Sequence, residues 1–186
     1  DAYDFVVRSS ALTGVSEITR SRTIADSTTG DVTTYVARAT GAVSAGAVTA
    51  AQDAVEEWAA PLCITPTVAN GSNLVIPVTY TVWLYSSVGE TAAAIKTQIE
   101  ADLLAMFAAR PIGGDIISPA ATGSLYQSLI VSTIKEVYPD HAFRVTGSAP
   151  AGDTALTISQ VATLGTVTPT VSQEALPANL GAAFFC

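Results

Sequence analysis

The sequence predicts an α+β fold, built as two small α/β units in which amphipathic helices pack on mixed β-sheets. Three observations carry that prediction. Segments with a helical period alternate with strand-like runs along the chain. Each helical segment has one apolar stripe, and such a stripe needs another element to cover it. The 186 residues, 49% of them hydrophobic, suffice to bury a core in one medium unit or two small ones.

In chain order, residues 2–12 predict a short N-terminal helix. Residues 15–24 alternate loosely, while 32–37 (Val-Thr-Thr-Tyr-Val-Ala) are β-branched and aromatic. The turn signal Thr28-Thr29-Gly30-Asp31 between them predicts a hairpin. Over 47–60, Val48, Ala51, Val55, Trp58 and Ala59 recur at steps of three and four, and the stripe runs on to Leu62. Gln52, Asp53, Glu56 and Glu57 occupy the other face and Pro61 stops the helix, which places Trp58 in the core. With the extended Cys63-Ile64-Thr65 that follows, strand, helix and strand make a β-α-β unit.

A second unit opens at 75–85, the strongest strand. Val78, Tyr80, Val82 and Leu84 face one way, and Thr79, Thr81 and Trp83 the other. A long helix over 91–109 has the stripe Ala92, Ile95, Ile99, Leu103, Met106 and Phe107, with Lys96, Glu100 and Asp102 opposite. It ends at Pro111 and Gly113-Gly114, after which Ile116-Ile117 predicts a strand. A third helix spans 123–137, with Tyr126, Leu129, Ile130, Ile134 and Val137 inward. Closing strands are expected at 142–145, 156–158 and 161–171. The polar Asn70-Gly71-Ser72-Asn73 marks the division, giving units 1–71 and 72–172 and a tail or arm over 173–186.

The composition excludes several functions. Eight Lys and Arg stand against sixteen Asp and Glu, for a net charge of −8, which argues against nucleic acid as a partner. Cys63 and Cys186 alone make no disulfide framework, and a single His without a Cys cluster makes no zinc site. No apolar run approaches the ~20 residues that span a bilayer, so no membrane insertion is expected. The chain opens at Asp1, without an initiator Met or a basic stretch leading into an apolar run. It therefore reads as a piece of something longer, with no signal peptide of its own.

The catalytic inventory is equally thin. His141, beside Asp140, lacks a Gly-x-Ser-x-Gly elbow and reads as a solvated turn residue. Gly113-Gly114 follow a helix, whereas phosphate-binding glycines precede one, so they supply left-handed backbone instead. Glu56-Glu57 and Glu100 with Asp102 lie on polar helix faces. Cys63 reads as a small buried hydrophobe and Cys186 as a free thiol. No catalytic residue, cofactor or metal is expected, and the chain reads as a part of an assembly, not an enzyme. Trp83, Glu100 and Phe107 are the candidate interface residues. The uncharged strand 75–85 suggests sheet edges covered by another chain.

The order of motifs adds a resemblance. Ala109-Arg110-Pro111-Ile112-Gly113-Gly114, after a long helix and before a helix with Leu125-Tyr126 and Ile134, resembles the baseplate J-like family of contractile, Mu-like phage tails. Ala60-Pro61-Leu62-Cys63-Ile64-Thr65-Pro66 followed by 78–84 is similar to that family's helix, link and long strand. Residues 3–15 resemble its short helix and turn, and Val161-Ala162-Thr163-Leu164-Gly165-Thr166-Val167-Thr168 its C-terminal strand. The sequence departs at Leu12-Thr13-Gly14-Val15, with Thr for Pro, and at Tyr138-Pro139-Asp140-His141. The resemblance covers about 1–171 and implies the family's C-terminal region. It implies a virion structural protein of a phage or prophage tail baseplate, assembled in the bacterial host cytoplasm. Its partners would be other copies of itself and neighbouring wedge proteins, in a ring between hub and fibres. A bacterial surface or adhesion domain is the alternative, and a hydrolase using His141 a weaker one.

Overall fold

The computed structural model describes residues 2–26, 28–61, 64–116 and 122–175. The fold is α+β. Its two compact units are interleaved in sequence. The first comprises Asp1–Val75, Phe107–Leu125 and Ala155–Thr163, and the second Ile76–Met106, Tyr126–Thr154 and Leu164–Cys186.

The first unit opens with two short helices, α1 (Ala2–Arg8) and α2 (Ser10–Thr13), in place of the single helix expected over 2–12. Ser9 takes an extended conformation between them, and Gly14 in the left-handed region closes the second. Strand β1 (Arg20–Ala25) starts five residues later than the alternation suggests. It pairs antiparallel with β2 (Val32–Ala37), giving the expected hairpin. Helix α3 (Ala45–Trp58) begins at Ser44, whose side chain accepts from Ala47 N–H. It leads to β3 (Thr67–Asn70), which lies parallel to β2 and completes a β-α-β unit with sheet order β1-β2-β3.

The parallel strand that is described lies at 67–70, where side chains of α3 and β3 fix it, and residues 64–66 are not part of it. Gln52 accepts from Val68 N–H at 2.6 Å and donates to Pro66 O at 2.8 Å. Asn70 exchanges two hydrogen bonds with the backbone of Val43. The stretch 70–73 is therefore a held junction between strands and no loose linker. Gly71 donates to Val36 O, and a Cβ there would run into the side chain of Val161. Cys63, Ile117 and residues 176–186 lie outside the described residues, as do the expectations that fall on them. Of the expected tail, Gln173 and Glu174 belong to a strand.

The first unit's core joins Val6, Val7, Ile18, Val36, Val43, Val55 and Val68 to Ala47, Ala51 and Ala54. Each fully buried valine contributes roughly 1.5–3 kcal/mol over an exposed one. Trp58, expected in this core, is 60% exposed. The stripe has the right phase, but Trp58 is the last helical residue and its turn overshoots the packed face. A second cluster, Ala37, Ile112 and Val161, anchors the turn after α4 (Ala92–Ala108). Gly113 and Gly114 both have positive φ there, as expected, and Gly113 N–H donates to Gln160 O. Ile116 is exposed and the bridge forms instead between Asp115 and Ser124, so the strand expected at 116–117 is absent among the described residues.

In the second unit β4 (Ser72–Tyr85) is the middle strand of a three-stranded sheet, β6-β4-β8, with β6 (Ala142–Ala149) antiparallel to it and β8 (Gln160–Glu174) on its other side. Both β4 and β8 begin in the first unit. Val78, Tyr80, Val82 and Leu84 are buried and Thr79, Thr81 and Trp83 are not, the alternation the sequence gives. A 3₁₀ turn (Ser86–Val88) joins β4 to α4, which buries Ile95, Ile99, Leu103 and Met106. The third helix is shorter than its period suggests: β5 (Gly123–Leu125) takes its first turn, pairing with β7 (Thr154–Leu156). Helix α5 (Gln127–Glu136) starts where Asp153 accepts from Gln127 N–H, and it packs on β6.

Candidate interaction surface

Strand β8 is the outermost of its sheet, and its other edge pairs with no strand among the described residues. It runs for 15 residues with no charged side chain before Glu174. Soluble proteins guard such edges with short strands, Lys or Pro, because unpaired N–H and C=O groups invite another chain. Here Pro169 is one such guard, Gly113 N–H already takes the Gln160 carbonyl and 161–163 are buried, which leaves 164–168 with neither charge nor Pro.

Beside this edge, α4 and β8 enclose a groove of about 530 Å³ lined by Thr97, Glu100, Ala101, Leu104, Leu164, Gly165 and Val167. Leu104 is 48% exposed. Small residues on both walls keep the groove open, and Glu100 is its one ionisable lining group. Tyr80, on the buried face of β4, is 1% exposed and its hydroxyl has no hydrogen-bond partner. Burial raises its pKa, and the charge of Glu100 adds to the effect. The phenol therefore stays neutral while Glu100 remains at the surface.

The three residues singled out from the sequence meet different fates. Glu100 lines the groove. Trp83 is half-buried on the opposite sheet face, paired in register with Arg144 of β6, whose guanidinium carbon lies 4.7 Å from the ring centroid. That contact covers one face of the indole. Phe107 is only 1% exposed: it is core, so its ring offers nothing to a neighbour. Phe107 is assigned to the first unit, unlike Ile95, Ile99, Leu103 and Met106 of the same stripe. The strand 75–85 also needs a different explanation, since β4 has β6 and β8 on its two sides. Its lack of charge reflects a central position, and the unguarded edge belongs to β8.

His141 is half-buried in the turn before β6, where its N–H and carbonyl serve Tyr138 and Tyr85 of the backbone. Glu56 and Glu57 are exposed on α3. Among the described residues no group of His, Cys, Asp or Glu is arranged to hold a metal ion, and no helix is long and apolar enough to cross a membrane. Compared with known proteins, the chain matches no family model and no curated sequence. Gln52 and Asn70, read from the sequence as surface and linker residues, turn out to set strand position. Their signal was only a polar residue within reach of an unpaired backbone, which periodicity does not register.

Proposed function

We propose that the chain is a structural, non-enzymatic component of a contractile phage or prophage tail baseplate, forming wedge or ring contacts with other copies and with neighbouring baseplate proteins. The observation that carries this reading is the long uncharged outer edge of β8 beside the α4 groove. Such an edge suits permanent strand-to-strand contact with another chain, whose backbone supplies the missing hydrogen bonds. The motif order that resembles the baseplate J-like family gives the assembly its identity. In a ring of this kind, the same contacts hold two arrangements whose populations a trigger at the fibres shifts.

The test is negative-stain electron microscopy of induced particles labelled with serum raised against this chain. Label at the distal end of contractile tails is the expected result. Label on the cell envelope would replace the reading with a surface adhesion domain, and absence of label from intact and disrupted tails would also overturn it.

A further inference from the structure

Asn70 is the only asparagine of the chain that glycine follows, whereas Asn73 and Asn179 both precede leucine. The pair Asn70-Gly71 is chemically reactive. In an unfolded chain the main-chain nitrogen of the next residue attacks an asparagine side-chain carbonyl, and glycine, with no Cβ, leaves that approach open. The attack forms a bond from Gly71 N to Asn70 Cγ and breaks the bond from Cγ to Nδ2. Ammonia leaves with the proton that Gly71 gives up, and a five-membered succinimide closes. Water then opens the ring at one of its two carbonyls, giving aspartate or isoaspartate at position 70. Water is the one co-reactant, and nothing is oxidised or reduced.

The fold of the first unit engages each group that this reaction uses. Gly71 is buried, and its N–H donates to Val36 O at 2.9 Å. The Asn70 amide is tied at both ends to one residue: Oδ1 accepts from Val43 N–H at 3.0 Å and Nδ2 donates to Val43 O at 3.1 Å. Strand β3 holds Asn70 extended, in parallel register with Val36, and the ring cannot close without rotating that backbone out of the ladder. Asn70 is exposed, so access of water is not what protects it.

The same contacts distinguish the amide from its products. Val43 offers one donor and one acceptor, and only an amide answers both. A carboxylate accepts from Val43 N–H but sets its second oxygen against Val43 O. Isoaspartate adds a methylene to the main chain just before Gly71, where a Cβ would already lie 2.5 Å from a Val161 methyl. We propose that Asn70-Gly71 is a deamidation site that the native first unit holds closed and that unfolding opens. Conversion removes the amide on which the β3 junction depends, so a chain that has opened and reacted does not regain its original stability. The site lies in the first unit and is independent of the β8 edge and of the function proposed for it.

The test incubates the full chain in mildly alkaline buffer, with and without denaturing urea, and localises amide-to-acid conversion by peptide mass spectrometry. In urea, Asn70 converts well ahead of Asn73 and Asn179, which serve as internal controls. In the folded chain its conversion is slowed at least about tenfold, because it waits for β3 to open. Gln52→Ala removes the side chain that holds Val68 N–H and Pro66 O without touching Asn70, and it raises the folded-state rate but not the rate in urea. If that variant does not fold, wild type just below its urea transition supplies the same loosening. Asn70→Asp reproduces one product and lowers the folding equilibrium constant at least about tenfold. Equal rates for Asn70 in the folded and unfolded chain overturn the proposal. So do a rate in urea no faster than that of Asn73, a folded-state rate that ignores the loosening, or an Asn70→Asp chain as stable as wild type.

Discussion

In the first unit the helix face that meets the sheet is Ala47, Ala51, Ala54 and Val55, and buried or half-buried polar side chains tie backbone to backbone around it: Arg20, Arg22 and Gln52, with the exposed Asn70 adding a fourth tie. In the second the buried helix face is Ile95, Ile99, Leu103 and Met106. There the ties from Asp153, Gln173 and Tyr138 sit at the surface. Small residues bury little area, so a unit built on them draws more of its definition from hydrogen bonds that only one arrangement satisfies. Large residues fill volume, and volume alone tolerates more than one way of packing.

The comparison can be broken at its strongest point by Leu103→Ala. It opens a cavity in the second unit and costs about 2–5 kcal/mol by urea unfolding. Arg20→Met sharpens the contrast, since it leaves hydrophobic volume nearly intact but strips the donors from four carbonyls. A loss of about 3 kcal/mol, with amide protection falling first in residues 107–112, is the expected outcome. A loss below about 1 kcal/mol would mean that the first unit is held by its apolar core after all.

The surface ties of the second unit respond to pH. Tyr138 is pushed up to about 12, first by burial, then by its hydrogen bond to Glu90 and by the charges of Glu90 and Asp102. A phenol that holds its proton more tightly when folded contributes stability that is fully present below about pH 10. That contribution is lost as pH rises through about 12. Tyr138→Phe therefore makes the urea midpoint fall less steeply over that window, with Tyr80 responsible for the remainder. The smallest effect on stability belongs to Thr168→Lys on the outer strand, within about 0.5 kcal/mol. Under the proposed function it nevertheless abolishes incorporation into tails, scored by the same serum label, because a charge on the edge blocks pairing.

Much of this was legible from residue order. Hydrophobic period located α3, α4 and the alternating face of β4, and the turn signal before Asp31 located the hairpin. Where the reading failed, the cause was an interaction from elsewhere in the chain. Gly123-Ser124-Leu125 sits in phase with the following helix but becomes a strand, because β7 supplies its backbone partners and Asp153 starts the helix at Gln127. Trp58 keeps the phase of its stripe and still faces solvent. Of the candidate contact residues, Glu100 was placed by the polar face of its helix, whereas Phe107, named as a contact, keeps the apolar phase of the same helix and is core.

The sequence by itself determined the class of fold, the helices and the alternating faces of the strands, since period and turn chemistry act over a few residues and need no distant partner. Only the tertiary structure decided which strand became an edge, where β3 begins, and that Arg20 is buried among carbonyls contributed by residues 38–39 and 107–110. Those outcomes depend on segments far apart in the chain satisfying one another's backbone groups. A local pattern carries no record of such partners.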